Sequence, residues 1–200
     1  MLPYKQTFPN SCGAVCLMCA AVELGTTTIP ADTTVHAMWV VQQPMTVPNQ
    51  ACENLIYAVT SGAPGFATAT SGYSLPSRIG KAARALGLTT IAFVPTSIIG
   101  TTLLSLYGTE ELDARNVGTL TKRQAAPTLE ERQRLLKVMR VGNATSILPA
   151  GGLHYVMMRP DGTVMDPACG QNFPNMNELI AAQQAQGVFY ADTGVAILIA

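Results

Sequence analysis

The chain has 200 residues, enough for one domain with a sizeable core, and 48% of them are hydrophobic while only 12% are charged. Its 12 basic and 12 acidic side chains cancel, which argues against a nucleic-acid footprint or an anionic membrane surface. So little charge leaves apolar surface for a protein partner or inhibitor to cover.

In chain order, Asn10 and Ser11 are good N-cap residues placed directly before Cys12 and the apolar run Ala14, Val15, Leu17, Met18, Ala21, Val22 and Leu24, which stops at Gly25. The pattern predicts a helix over 12–24 that Cys12 opens. The free N–H groups and macrodipole of a helix N-terminus favour a thiolate, which is how a cysteine becomes a nucleophile. Gln6 lies six residues upstream on the entering segment, where its amide can join the Cys12 N–H in holding an oxyanion, and Pro9 helps fix the approach.

Beyond Gly25, Asp32 or Thr33 reads as the cap of a second helix carrying Val35, Met38, Trp39 and Gln42, stopped by Pro44. Residues 51–60 read as a short helix, and the Gly-, Ala-, Ser- and Thr-rich stretch 61–72 as a loop. Ser74 is placed to cap a helix over 75–86 with Pro76 in its first turn and Gly87 closing it, followed by a strand over 88–94. Residues 97–107 read as helical and 108–127 as an exposed connection with at most one helical turn. Thr128 and Glu131 spell a capping box for a helix running to Met139 or Arg140, after which Gly142 and Asn143 turn the chain.

Residues 145–149 and 153–159 read as strands, and Pro160, Asp161, Gly162 and Thr163 as a hairpin turn into Val164 and Met165. A tight Asp161-Gly162 turn sets His154 opposite Cys169; a wider one brings Asp166 almost opposite His154. A helix over 177–185 and strands over 188–190 and 194–199 finish the chain, and no boundary divides it into two domains.

These segments resemble the papain-like cysteine peptidases, and most closely the peptidase domain that removes double-glycine leaders in bacteriocin export, with its stand-alone relatives. There a Gln precedes the Cys by six residues, Gly-Ala follows the Cys, and a later His-aromatic-Val strand leads to Asp-Pro-Ala. Here the corresponding residues are Gln6, Cys12-Gly13-Ala14, His154-Tyr155-Val156 and Asp166-Pro167-Ala168. The resemblance covers residues 4–25 and 128–200, while 26–127 diverge. It implies an α+β fold, with a helical part carrying Cys12 packed on an antiparallel sheet carrying His154 and Asp166. It further implies Cys12 as nucleophile, His154 as base and acid, Asp166 as orienting carboxylate, Gln6 as oxyanion donor, a peptide or protein substrate, and no cofactor.

Other readings weigh less. Cys12, Cys16 and Cys19 also spell C-x3-C-x2-C, the spacing of iron–sulfur radical enzymes, but they fall at helical spacing among apolar residues, and Cys16 and Cys19 read as small core side chains. Cys52 reads the same way, and Cys169 as a core thiol close to the site. His36 has no motif around it, Asp161 belongs to turn chemistry, and two histidines with scattered carboxylates argue against a metal. Gly151-Gly152 reads as a turn beside His154 rather than a phosphate loop. An amidase, deamidase or transamidase acting as a delivered bacterial effector uses the same machinery, and an inactive peptide-binding domain is the non-enzymatic alternative. An odd count of five cysteines favours free thiols. With no signal-like N-terminal region and no apolar run of membrane-spanning length, the chain reads as cytoplasmic, or exported without an N-terminal signal peptide.

Overall fold

The helix that Cys12 opens, α1 (Cys12–Glu23), has every residue from Cys12 to Ala21 buried, so it is apolar around its circumference and must be packed on all sides. The computed structural model describes residues 1–97, 109–143 and 152–200. Within them α1 is followed by β1 (Thr28–Ile29), β2 (Gln43–Pro44), α2 (Gln50–Ser61), α3 (Pro76–Ala85), β3 (Thr90–Phe93), α4 (Glu110–Asn116), β4 (Leu120–Lys122) and β5 (Arg134–Asn143). The chain then continues through β6 (Leu153–Met158), β7 (Val164–Asp166), β8 (Gln171–Phe173), α5 (Met176–Ala185) and β9 (Val188–Ile199). The expected helix over 97–107, the strand over 145–149 and the Gly151 turn lie outside or largely outside the described residues.

Among the described residues seven strands form one sheet in the order β4-β3-β9-β5-β6-β7-β8, antiparallel except for the β3–β4 pair. The fold is α+β, compatible with a papain-like domain. One face of the sheet, with Leu136, Val138, Tyr155, Met157, Met165 and Ile197, packs on α1, α2 and α3. The other face carries Met139, Val156, Val164 and Tyr190 against Leu179 of α5, and a smaller cluster of Phe93, Leu135, Ala196 and Leu198. The close fit of α1 shows at Gly13, where a Cβ would stand 2.6 Å from Ser74 Cβ; only glycine lets the helix start pass this close.

Four expectations are overturned. The helix over 128–140 is the central strand β5. Being covered on both faces, β5 carries apolar residues at consecutive positions, and Leu135, Leu136, Val138 and Met139 mimic helical spacing. The expected helix over 32–43 is a series of turns. The Asp32 carboxylate accepts from Thr34 N (2.9 Å) and Thr34 Oγ1 (2.6 Å), offering the backbone a local alternative to a helix. Trp39 is instead buried as an anchor, its Nε1 donating to Leu55 O at 3.0 Å. Ser74 does not cap α3 but donates to Thr60 Oγ1; the cap comes from Glu110 of α4, which accepts from Ser77 N and, at 3.0 Å, from Ser77 Oγ. The last two strands are one strand, β9, whose register against β5 shifts between Lys137 and Met139, with Gly194 at φ 76° beside the irregularity. The connection over 108–127 also holds more structure than expected, namely α4 and β4.

Candidate active site

β6 and β7 pair only at Met157 with Met165 and Met158 with Val164. Continued, this register puts Asp166 across from Val156, two residues from His154, so both side chains stand on the α5 face. The register is intermediate between the two that the hairpin allowed. Towards His154 the strands part, and the start of α1 enters the gap. Tyr155 N donates to Cys12 Sγ at 3.4 Å, and Cys16 Sγ donates to Tyr155 O at 3.5 Å. Two cysteines one helical turn apart thereby take the backbone groups that a neighbouring strand would otherwise use. Gln6 N closes the same gap on Pro167 O at 2.8 Å.

His154 is buried, and its Nε2 lies 2.7 Å from Asp166 Oδ1. A carboxylate oxygen only accepts, so Nε2 carries the proton and Nδ1 is left for Cys12. Burial alone would raise the Cys12 thiol, but the His154 charge and hydrogen bond, with the N–H groups of Tyr155 and Gly13, outweigh it and hold the thiol below its ordinary value. Burial alone would lower His154; the Cys12 thiolate and Asp166 instead push it up to about 10. Both directions favour a thiolate–imidazolium pair. Burial pushes the Cys16 thiol well up and Cys19 up to about 12, so neither competes as a nucleophile.

Asp161 is exposed at the hairpin tip, its Oδ1 accepting from Thr163 N (3.0 Å) and Thr163 Oγ1 (2.7 Å). His36 pins the loop before α2, with Nε2 2.7 Å from Ala63 O and Nδ1 accepting from Met38 N at 3.1 Å. Gln6 differs from its expected geometry: its Nε2 donates to Phe8 O (2.8 Å) and Pro9 O (2.9 Å), which uses both amide hydrogens, and its buried Oε1 has no partner among the described residues.

Ser11 also departs from its expected capping role. Its one hydroxyl hydrogen goes to Glu53 Oε1 at 2.6 Å, with Phe8 O 3.0 Å away, and it caps no helix N–H. Glu53, fully buried on α2, further accepts from Thr7 N (2.8 Å), Thr7 Oγ1 (2.7 Å) and Tyr4 Oη (3.1 Å), binding the segment that leads into Cys12. Sequence reasoning missed Glu53 because a carboxylate in a first helical turn is ordinary. Replacing Glu53 with alanine strands these donors and should cost about 1–3 kcal/mol. Urea unfolding checks this, and an unchanged midpoint would show that the segment is held otherwise.

An apolar cavity lies beside β6, lined by Leu75, Val94, Val138, Leu153, Tyr155 and Val195 among others. Among the described residues no group of three or more His, Cys, Asp or Glu side chains is arranged to hold a metal ion, and no helix is long and apolar enough to cross a membrane.

The family model described as "Invasion plasmid antigen J, cysteine protease" matches residues 4–200, including the middle stretch that the peptidase resemblance left uncovered. The chain is 32% identical over 209 residues to the cysteine protease IpaJ of Shigella flexneri, spanning 99% of this chain and 78% of that protein. No solved structure matches.

Proposed function

The chain belongs to the invasion plasmid antigen J family of cysteine proteases, and from that premise we propose that Cys12, His154 and Asp166 are the catalytic triad of one papain-like domain spanning residues 1–200. The protein is a cysteine peptidase, and its substrate is a peptide or protein. The convergence of α1, β6 and the end of β7 on one thiol–imidazole–carboxylate chain is the observation that carries the triad.

The Cys12 thiolate attacks the scissile carbonyl, and His154, protonated at Nδ1, delivers that proton to the leaving amine. His154 then draws a proton from the water that hydrolyses the thioester. Asp166 keeps the imidazole in the required tautomer and offsets its charge. The oxyanion meets the N-terminus of α1, where first-turn N–H groups have no helical carbonyl to serve. Gln6 is the second donor, and in that role its amide exchanges the Phe8 or Pro9 carbonyl for the oxyanion. The cavity beside β6 suits a substrate with an apolar group near the scissile bond.

The likeness to double-glycine leader peptidases bears on Gln6 to Ala14 and His154 to Ala168; a Gly-Gly preference is a second reading of the substrate. A role as a delivered bacterial effector is the reading that the invasion plasmid antigen family supports. Amidase, deamidase or transamidase chemistry remains the alternative outcome of the same acyl-enzyme. Cys12, Cys16 and Cys19 follow one face of α1 with Cys16 and Cys19 fully buried, a geometry unlike a loop that wraps an iron–sulfur cluster.

Alkylation of Cys12 by iodoacetamide, located by mass spectrometry across pH, tests the pair. The rate should rise at a pH below the ordinary thiol range and change again near the His154 value of about 10. His154→Ala removes the lowering influence while burial remains, so the acid limb moves up and the rate at pH 7 falls at least about tenfold. Alkylation at an unchanged rate and pH in that variant would defeat the triad.

A further inference from the structure

The Asp166 carboxylate is fully buried and accepts four hydrogen bonds, of which the proposed triad uses one. Oδ1 takes His154 Nε2 at 2.7 Å and Ala168 N at 2.8 Å. Oδ2 takes Gln183 Nε2 at 3.0 Å from α5 and Tyr190 Oη at 3.1 Å from β9. The Tyr190 ring also meets the imidazole of His154 edge-on, with centroids 5.6 Å apart and planes at 61°. We propose that Tyr190 and Gln183 are positioning residues, which hold the Asp166 carboxylate rotationally fixed so that Oδ1 stays aimed at His154.

The inference rests on the triad reading and extends it to two residues whose positions, 17 and 24 beyond Asp166, follow no motif. A carboxylate turns about its last side-chain bond and can exchange its two oxygens. Ala168 N holds one oxygen, and Tyr190 and Gln183 hold the other, so the rotation is locked from both ends. The same two donors satisfy Oδ2 in a fully buried site, where an unpaired carboxylate oxygen is costly. Turned out of line, Asp166 loses its hydrogen bond to the imidazolium, and the Cys12 thiolate loses its counter-charge in turn.

Other titratable groups facing the site leave the assignment clear. Cys16 on α1 is raised by burial and by the charges of Cys12, Cys19 and Asp166, with Arg159 acting the other way. Cys169 is raised by burial and Asp166, and Tyr190 itself is raised by burial and Asp166. Of the thiols facing the site only Cys12 is lowered, so its acid limb and the basic limb of His154 report on the Asp166 contact.

The test compares pH profiles of Cys12 alkylation by iodoacetamide in the wild type, Tyr190→Phe, Gln183→Met and His154→Ala. Tyr190→Phe keeps the ring against His154 and removes only the hydroxyl. It should shift the acid limb up and the basic limb down, and lower the rate at pH 7 about tenfold. Gln183→Met, on a partly exposed helix position, should narrow the window in the same sense by a smaller factor, and it carries the test if Tyr190→Phe does not fold. Loss of packing alone would lower thermal stability without moving either limb. Wild-type limbs in whichever of the two variants folds would overturn the inference while leaving the triad standing, provided His154→Ala still shifts the profile. Wild-type limbs in His154→Ala as well would remove the triad reading itself.

Discussion

Cys12→Ala should lower peptide hydrolysis by about a thousandfold or more, because no second nucleophile is poised to replace the thiolate. Cys16 and Cys19 lie on the same helix, but both are fully buried with raised thiols. The structural cost should be small, about 1 kcal/mol, since alanine fits the helix start and the main loss is the sulfur that accepts from Tyr155 N. Cys12→Ser separates the two effects. Its hydroxyl can still accept from Tyr155 N, yet an alcohol beside His154 is far from ionised at neutral pH, so serine should restore stability and not activity. Cleavage of a peptide library, read by mass spectrometry alongside thermal melting, checks both statements. A serine variant that cuts at the wild-type rate would remove the thiolate mechanism.

Glu23→Ala should be the most destabilising of the substitutions considered, by about 3–5 kcal/mol, because it leaves a buried guanidinium unpaired. Arg159 is 3% exposed; its Nε lies 2.9 Å from both Glu23 oxygens and its Nη2 lies 2.8 Å from Oε1. Arg134 Nε adds a bond of 2.7 Å to Oε2. This cluster ties the end of α1 to the start of β5 and the end of β6, and so fixes the helix whose other end carries Cys12. Removing both charges, as in Glu23→Met with Arg159→Met, should cost less than Glu23→Ala alone. Burial alone would raise the Glu23 carboxyl, but the Arg159 and Arg134 hydrogen bonds outweigh it and depress it below its ordinary value of 4.5. A depressed carboxyl stabilises the fold fully above its unfolded value and loses that contribution as pH falls through the folded one. Wild-type stability should therefore decline more steeply below about pH 4.5 than that of Glu23→Gln. Urea unfolding at neutral and acid pH measures both effects, and a loss under about 1 kcal/mol for Glu23→Ala would show that Arg159 finds another partner.

What failed at the level of sequence failed for identifiable reasons. Thr128 and Glu131 do spell a capping box, yet the residues behind it form β5, because a strand covered on both faces loses the alternation that separates strands from helices. Asp32 was a plausible cap, but its carboxylate closed a turn on Thr34. Ser11 and Ser74 were good caps by type, and each donates its hydroxyl to a partner more than ten residues away. Short-range rules assume that a side chain serves its own helix, and burial against another element changes which partner is nearest.

By itself the sequence determined the elements whose signals are local: α1 opening at Cys12, the helix over 51–60 that is α2, α3 with Pro76 in its first turn, the Asp161-Gly162 hairpin and the helix over 177–185 that is α5. It also singled out Cys12 as a helix-start cysteine, and the resemblance to papain-like peptidases carried by the His154 and Asp166 segments implied the other two. Only the tertiary structure decided how those windows meet. The parting of β6 from β7 admits α1 between them, and the thiol reaches an imidazole that stands on the opposite face of the sheet from most of its own helix. Gln183 and Tyr190 join Asp166, and Glu53 joins the segment before Cys12, across separations that carry no periodic signal. Hydrogen-bond partners of a buried charge are chosen by which donors the packing leaves within about 3 Å, and that distance is set by the assembled layers rather than by spacing along the chain.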